Sequence, residues 1–177
     1  MMATYDFTLT FSLPDKDAEP ERYLDTLFEA GCDDATIGVG RGGMISLDFS
    51  REALSAEEAS RSAVEAVQRA IPGARLVEAK PDLVNLSDVA DFIGVSRQNI
   101  RKYAAGEIRS VKARFPLPSF SGRPTPLWHL YEVAVWLSRH TALKPRREII
   151  EASLAAYKLN LDAEQRRIDM LQDARVD

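Results

Sequence analysis

The sequence predicts an α+β chain, and three observations predict it. Period-two and period-3.6 apolar patterns alternate over the first 80 residues, a helix–glycine–helix pattern occupies 86–105, and no Gly or Pro follows Pro145. Tyr5 to Phe11 alternates apolar and polar side chains, as a half-buried strand does. Pro20 to Ala30 sets Tyr23, Leu24, Leu27 and Phe28 on one helical face, with Gly31 where a left-handed C-terminal cap belongs. Ala35 to Val39 and Met44 to Phe49 read as short strands around a hairpin turn, Gly40-Arg41-Gly42-Gly43. Ser55-Ala56-Glu57-Glu58 fits a capping box, and the helix it opens carries Ala59, Ala63, Val64, Val67 and Ile71 on one face before Pro72-Gly73 stops it. Arg75 to Ala79 makes the last strand. The order β-α-β-β-α-β is that of the ferredoxin-like split fold.

This first part offers little chemistry. The Gly-rich turn lacks the Lys-Ser/Thr of a phosphate loop and no helix begins directly after it, so it reads as a plain turn. Cys32 stands beside Asp33 and Asp34, and neighbouring carboxylates raise a thiol's pKa, so a structural role is expected rather than a redox one.

The informative window is LSDVADFIGVSRQNIRKYAA, Leu86 to Ala105. Ser87 is placed to cap a short helix carrying Val89, Ala90 and Ile93, and Gly94 falls where a tight turn needs positive φ. Ser96 is placed to cap a second helix, whose inner face holds Ile100 and Tyr103. Its outer positions Arg97, Gln98, Asn99, Arg101 and Lys102 are the side-chain types that reach base edges and phosphates. With Ser96 they form the expected DNA-binding set; the alternative is an ordinary helical hairpin with a solvated basic face.

Further motifs follow: Phe115-Pro116-Leu117-Pro118, Gly122-Arg123, Leu127-Trp128, Tyr131-Glu132-Val133 and Trp136-Leu137. Together with Ala90, Gly94 and Ile100 they resemble the MerR-like and excisionase-like winged helix-turn-helix proteins over about Leu83 to Ser138. The resemblance implies a Phe-Pro element after the recognition helix, a basic Gly-containing loop as the wing, and a Trp leading into a helix that ends in a second Trp. Glu107 to Arg114 is longer than the matching stretch of many relatives, which bears on the wing's geometry. In the loop Ser121-Gly122-Arg123-Pro124, Arg123 is the candidate for the DNA backbone or minor groove, against a solvated loop arginine. Lys112 and Arg114 are weaker phosphate candidates. Trp128 and Trp136, eight residues apart, are expected to share the inner face of one helix with Leu130, Val133 and Leu137. His129 and His140 have no Cys partners, so no metal site is expected.

Charge distribution supports this reading. Residues 1–80 hold 8 Lys/Arg against 15 Asp/Glu (−7), residues 81–147 hold 11 against 5 (+6), and residues 148–177 hold 4 against 7 (−3). A basic middle between acidic flanks is the footprint of a nucleic-acid-binding module tied to other domains. No apolar run approaches the roughly 20 residues that span a bilayer, and the start lacks a signal core. The single cysteine excludes an intrachain disulfide and suits a reducing cytoplasm.

Pro145 suits a first helical position, and Ile150, Leu154, Tyr157, Leu161, Ile168 and Leu171, with Glu164 in the missing place, make a heptad stripe. It predicts a dimerisation coiled coil or, alternatively, a helix packed on its own domain. The expected division is an acidic ferredoxin-like domain at 1–80, a winged helix-turn-helix domain at 81–143 and a C-terminal helix at 144–177. The expected function is sequence-specific binding of double-stranded DNA by a cytoplasmic, homodimeric regulator. The alternative is an antitoxin-type protein that neutralises a partner protein and binds DNA for autoregulation. No nucleophile–base pair, metal spacing or cofactor loop is found, so binding without cofactor is expected rather than catalysis.

Overall fold

The computed structural model describes residues 1–39, 42–122 and 124–175. It is mixed α+β, built on a four-stranded antiparallel sheet of order β2-β3-β1-β4, with β1 Ala3–Ser12, β2 Ala35–Val39, β3 Met44–Ala53 and β4 Arg75–Lys80. Alternation decides which face is dry. Phe7 opposes Phe49, Leu9 opposes Leu47 and Phe11 opposes Ile45 on the buried side, with the Phe7 and Phe49 rings stacked at 5.2 Å. The other side carries polar pairs: Ser50 donates to Asp6, Thr8 donates to Asp48, and the Thr10 and Ser46 hydroxyls share a hydrogen bond. A sheet with one apolar and one polar face leaves the polar one to water. Gly40 and Arg41 of the expected turn lie outside the described residues.

Helix α1, Leu24–Glu29, follows a 3₁₀ turn at Pro20–Tyr23, and α2 is Ala56–Ala70. The expected α1 face is only partly inside. Leu27 is fully buried and Tyr23 partly, while Leu24 and Phe28 are exposed, Phe28 by 67%. The 3₁₀ turn has a period near three, which rotates the pattern, and six residues give too short a helix to turn four side chains inward. In α2, Ala59, Ala63, Val64 and Val67 line the core as expected. Its cap differs slightly from a reciprocal box: Ser55 Oγ accepts from the Glu58 amide, but the Glu58 carboxylate accepts from the Leu54 amide, one residue before the cap.

Residues from 81 onward build a second cluster. It comprises β5 Leu83–Val84, α3 Leu86–Ile93, α4 Arg97–Ala104, β6 Trp128–His129 and α5 Leu130–His140, with β5 and β6 antiparallel. Val89, Ala90, Ile100, Phe115, Trp128, Val133, Trp136 and Leu137 make its core. Both tryptophans are buried, but Trp128 lies in β6 rather than on a helix with Trp136. Pairing of Val84 with Trp128 holds that residue extended, and α5 starts two residues later. Phe115 bridges the two indoles edge-on, at 6.3 Å and 5.0 Å.

Helix α6, Arg147–Asp173, then returns to the first sheet, packing on β4, β1 and α2. Pro145 lies just outside it and Arg146 is the N-cap. The buried stripe is Ile149, Ala152, Ser153, Ala155, Ala156 and Ala163, while Ile150, Leu154 and Tyr157 of the heptad pattern are only half-buried. The pattern of large apolar residues is thus rotated from the packing face. Alanines let the helix axis approach the sheet closely, and a count of large side chains does not register them. Beyond Ala163 every described residue is exposed, including Ile168, Met170 and Leu171.

Candidate nucleic-acid interface

The α3–α4 pair is built from local signals. Asn85, not Ser87, caps α3: its Oδ1 accepts from the Ser87 and Asp88 amides at 2.8 and 3.0 Å, and Asp88 accepts in return from the Asn85 amide. The carboxylate three residues on completes a reciprocal box that Ser87, one position inside the helix, cannot make. Gly94 ends α3 at φ 77°, with its own amide and that of Val95 both donating to the Ala90 carbonyl. An added Cβ there would meet nothing within 4 Å, so glycine is required by conformation, not by space. Ser96 Oγ accepts from the Asn99 amide and caps α4.

Ile100, at 0% exposure, pins α4 to the core, and Tyr103 meets Trp136 edge-on at 6.1 Å. Fixing that inner face fixes the outer one. Ser96, Arg97, Gln98, Arg101 and Lys102 are exposed, and Asn99 is half-buried. Arg97 lies 3.9 Å from Asp91, both largely in water, a pair too weak to hold the guanidinium back. Arg123 lies outside the described residues. Its loop is framed by reciprocal backbone bonds between Phe120 and Leu127, and Lys112 and Arg114 are exposed nearby in sequence. Trp128 Nε1 donates to the Pro116 carbonyl at 2.9 Å, tying the Phe-Pro segment to β6. Among the described residues the Trp136 Nε1 is buried with no hydrogen-bond partner.

A second polar constellation escaped sequence reasoning. Asp82, 3% exposed, accepts from His129 Nδ1 at 2.6 Å through one oxygen and from Asn160 Nδ2 at 2.7 Å through the other. Asn160 also accepts from the Ala79 amide and donates to the Ala79 carbonyl. His129 stacks on Tyr157, ring centroids 3.7 Å apart. The edge of β4, α6 and β6 are thereby joined by one buried, hydrogen-bonded knot. Its members are up to 81 residues apart, and no spacing in the sequence signals it.

Cys32 is buried, and burial, ahead of the neighbouring carboxylates, pushes its thiol up; Arg51 opposes this and Asp34 adds to it. Arg51 itself makes a bidentate pair with Asp34 at 2.7 and 2.8 Å. No helix among the described residues is long and apolar enough to cross a membrane. Comparisons with protein-family models, with curated proteins and with solved structures found no match to this chain.

Proposed function

We propose that the chain is a sequence-specific regulator that binds double-stranded DNA, with α4 as the recognition helix of a winged helix-turn-helix at 81–143. One observation carries the reading: α4 is anchored by Ile100 while Arg97, Gln98, Arg101 and Lys102 are exposed on its outer face. Gln98 or Asn99 suits bidentate contact with adenine, and Arg97 or Arg101 suits guanine O6 and N7. Lys102 suits a phosphate, and Arg123 is assigned to the wing on sequence grounds alone. Kinship with MerR-like and excisionase-like proteins is part of the same proposal, as is a ferredoxin-like domain at 1–80, whose strand order β2-β3-β1-β4 supports it.

Helix α6, Arg147–Asp173, supplies a homodimer contact in this reading. From Glu164 to Asp173 every residue of it is exposed, and short isolated helices are marginal in water. Pairing of the Ile168 and Leu171 end of α6 with a second copy would cover these residues and set two recognition helices on one duplex face.

Selection of bound DNA from a random pool at stated salt tests the proposal. Enrichment of a palindromic site is expected, and no enrichment would remove it. Alanine at Arg97, Arg101 and Lys102 together should abolish enriched-site binding; unchanged binding would refute the role of α4. A second reading, the antitoxin type, is favoured by one observation, the exposed Leu24 and Phe28 on α1. Stoichiometric co-purification of a partner protein, lost on Phe28→Asp, would support it.

A further inference from the structure

A cleft of about 370 Å³ opens where β4, α6 and the β5–β6 ribbon meet. That volume falls in the range of small-molecule sites. Val77, Leu83, Phe120 and Leu161 line it, each large, apolar and more than a third exposed. Four such side chains from four separate segments converging on one concavity form a patch, unlike singly scattered ones. Its floor is preformed: the Asp82–Asn160–His129 knot holds the His129 ring against Tyr157. With Nδ1 committed to Asp82, His129 Nε2 has no hydrogen-bond partner among the described residues.

The charge lining the cleft has one sign. Glu78, Glu164 and Asp82 contribute to its wall, and no Lys or Arg does among the described residues. Asp82 is occupied by its two hydrogen bonds. Glu78 reaches Lys80 only across an exposed 3.5 Å pair, and Glu164 has no ion-pair or hydrogen-bond partner among the described residues. One unpaired and one weakly paired carboxylate, in a lining that also holds Phe120 and Tyr157, are the chemistry that recognises a cation carrying apolar bulk, through charge and cation–π attraction together.

We propose that this cleft is a binding site for an organic cation with an aromatic or aliphatic body. An anion would meet the unpaired Glu164 carboxylate and the weakly paired Glu78 one, and a purely polar cation would leave the apolar wall in water. The site does not depend on DNA recognition, so failure of one reading leaves the other standing.

The test uses the full chain without DNA. Isothermal titration with tetraphenylphosphonium should give one saturable site per chain, whereas tetraphenylborate, of the same shape and opposite charge, should bind far more weakly. Glu164→Gln combined with Phe120→Ala changes only exposed side chains, so folding, checked by circular dichroism, should persist while affinity falls roughly tenfold or more. Equal binding of the two ions, unchanged affinity in the double variant, or no saturable heat through the millimolar range would each overturn the proposal.

Discussion

Asn160 does with one side chain what a further strand would do for the sheet edge. Its amide pairs both backbone groups of Ala79 on β4 and still reaches Asp82. Asn160→Ala would leave a backbone amide, a carbonyl and a carboxylate oxygen without partners in a largely dry place. A loss of about 1–3 kcal/mol is expected in urea unfolding, and a change within a few tenths would deny the knot its structural role. Tyr5 and Arg147 make a similar junction on the same helix, each donating to Glu151 at 2.6 Å. The Tyr5 hydrogen bond first, and the Arg147 one second, hold the Glu151 carboxyl below the usual range, while the Tyr5 phenol is pushed up by the same contact. A folded pKa below the unfolded one means that the stabilisation is present above the ordinary value, about 4.3, and is lost as pH falls through the folded one. Glu151→Gln should therefore cost roughly 1 kcal/mol at neutral pH and little in acid. An equal cost at both would remove the ionic explanation.

At the scale of elements, local chemistry explains most of what the sequence shows. The Ser96 cap, the Gly94 turn and the apolar face of α2 are set by residues within a few positions of one another, so they were legible. The α3 cap lies at Asn85, two positions before Ser87, because Asn85 and Asp88 satisfy each other, and Leu24 and Phe28 face water because a 3₁₀ turn shifts the phase. The rotation of α6 is the larger lesson. Large side chains advertise a seam at Ile150, Leu154 and Tyr157, but Ala152, Ala155 and Ala156 touch the sheet core. Ala156→Leu should overpack that contact and cost about 1–3 kcal/mol in thermal or denaturant unfolding, whereas Ala substitution at exposed Ile168 should leave the stability of the first sheet unchanged. The reverse ranking would mean that α6 packs through its heptad face.

At the scale of the molecule, charge and packing divide the labour. The acidic first part and the basic middle are separate in sequence, yet α6 and the Asp82 knot hold their elements together. A regulator that pairs through the free end of α6 should sediment as a dimer, and Ile168→Glu with Leu171→Glu should yield a folded monomer with reduced affinity for a palindromic site. A wild-type chain that sediments as a monomer at all accessible concentrations would refute pairing through this seam.

By itself the sequence determined the α+β class, the order of strands and helices over residues 1–80 and the exposed basic face of α4, because periodicity, caps and turn glycines act over a few residues. Only tertiary structure decided which face of α6 is buried, that Trp128 belongs to a strand, and that Asp82, His129 and Asn160 meet beside an acidic, aromatic-walled cleft. Those outcomes depend on which side chains meet across some 80 residues of chain, and no local period encodes such a meeting.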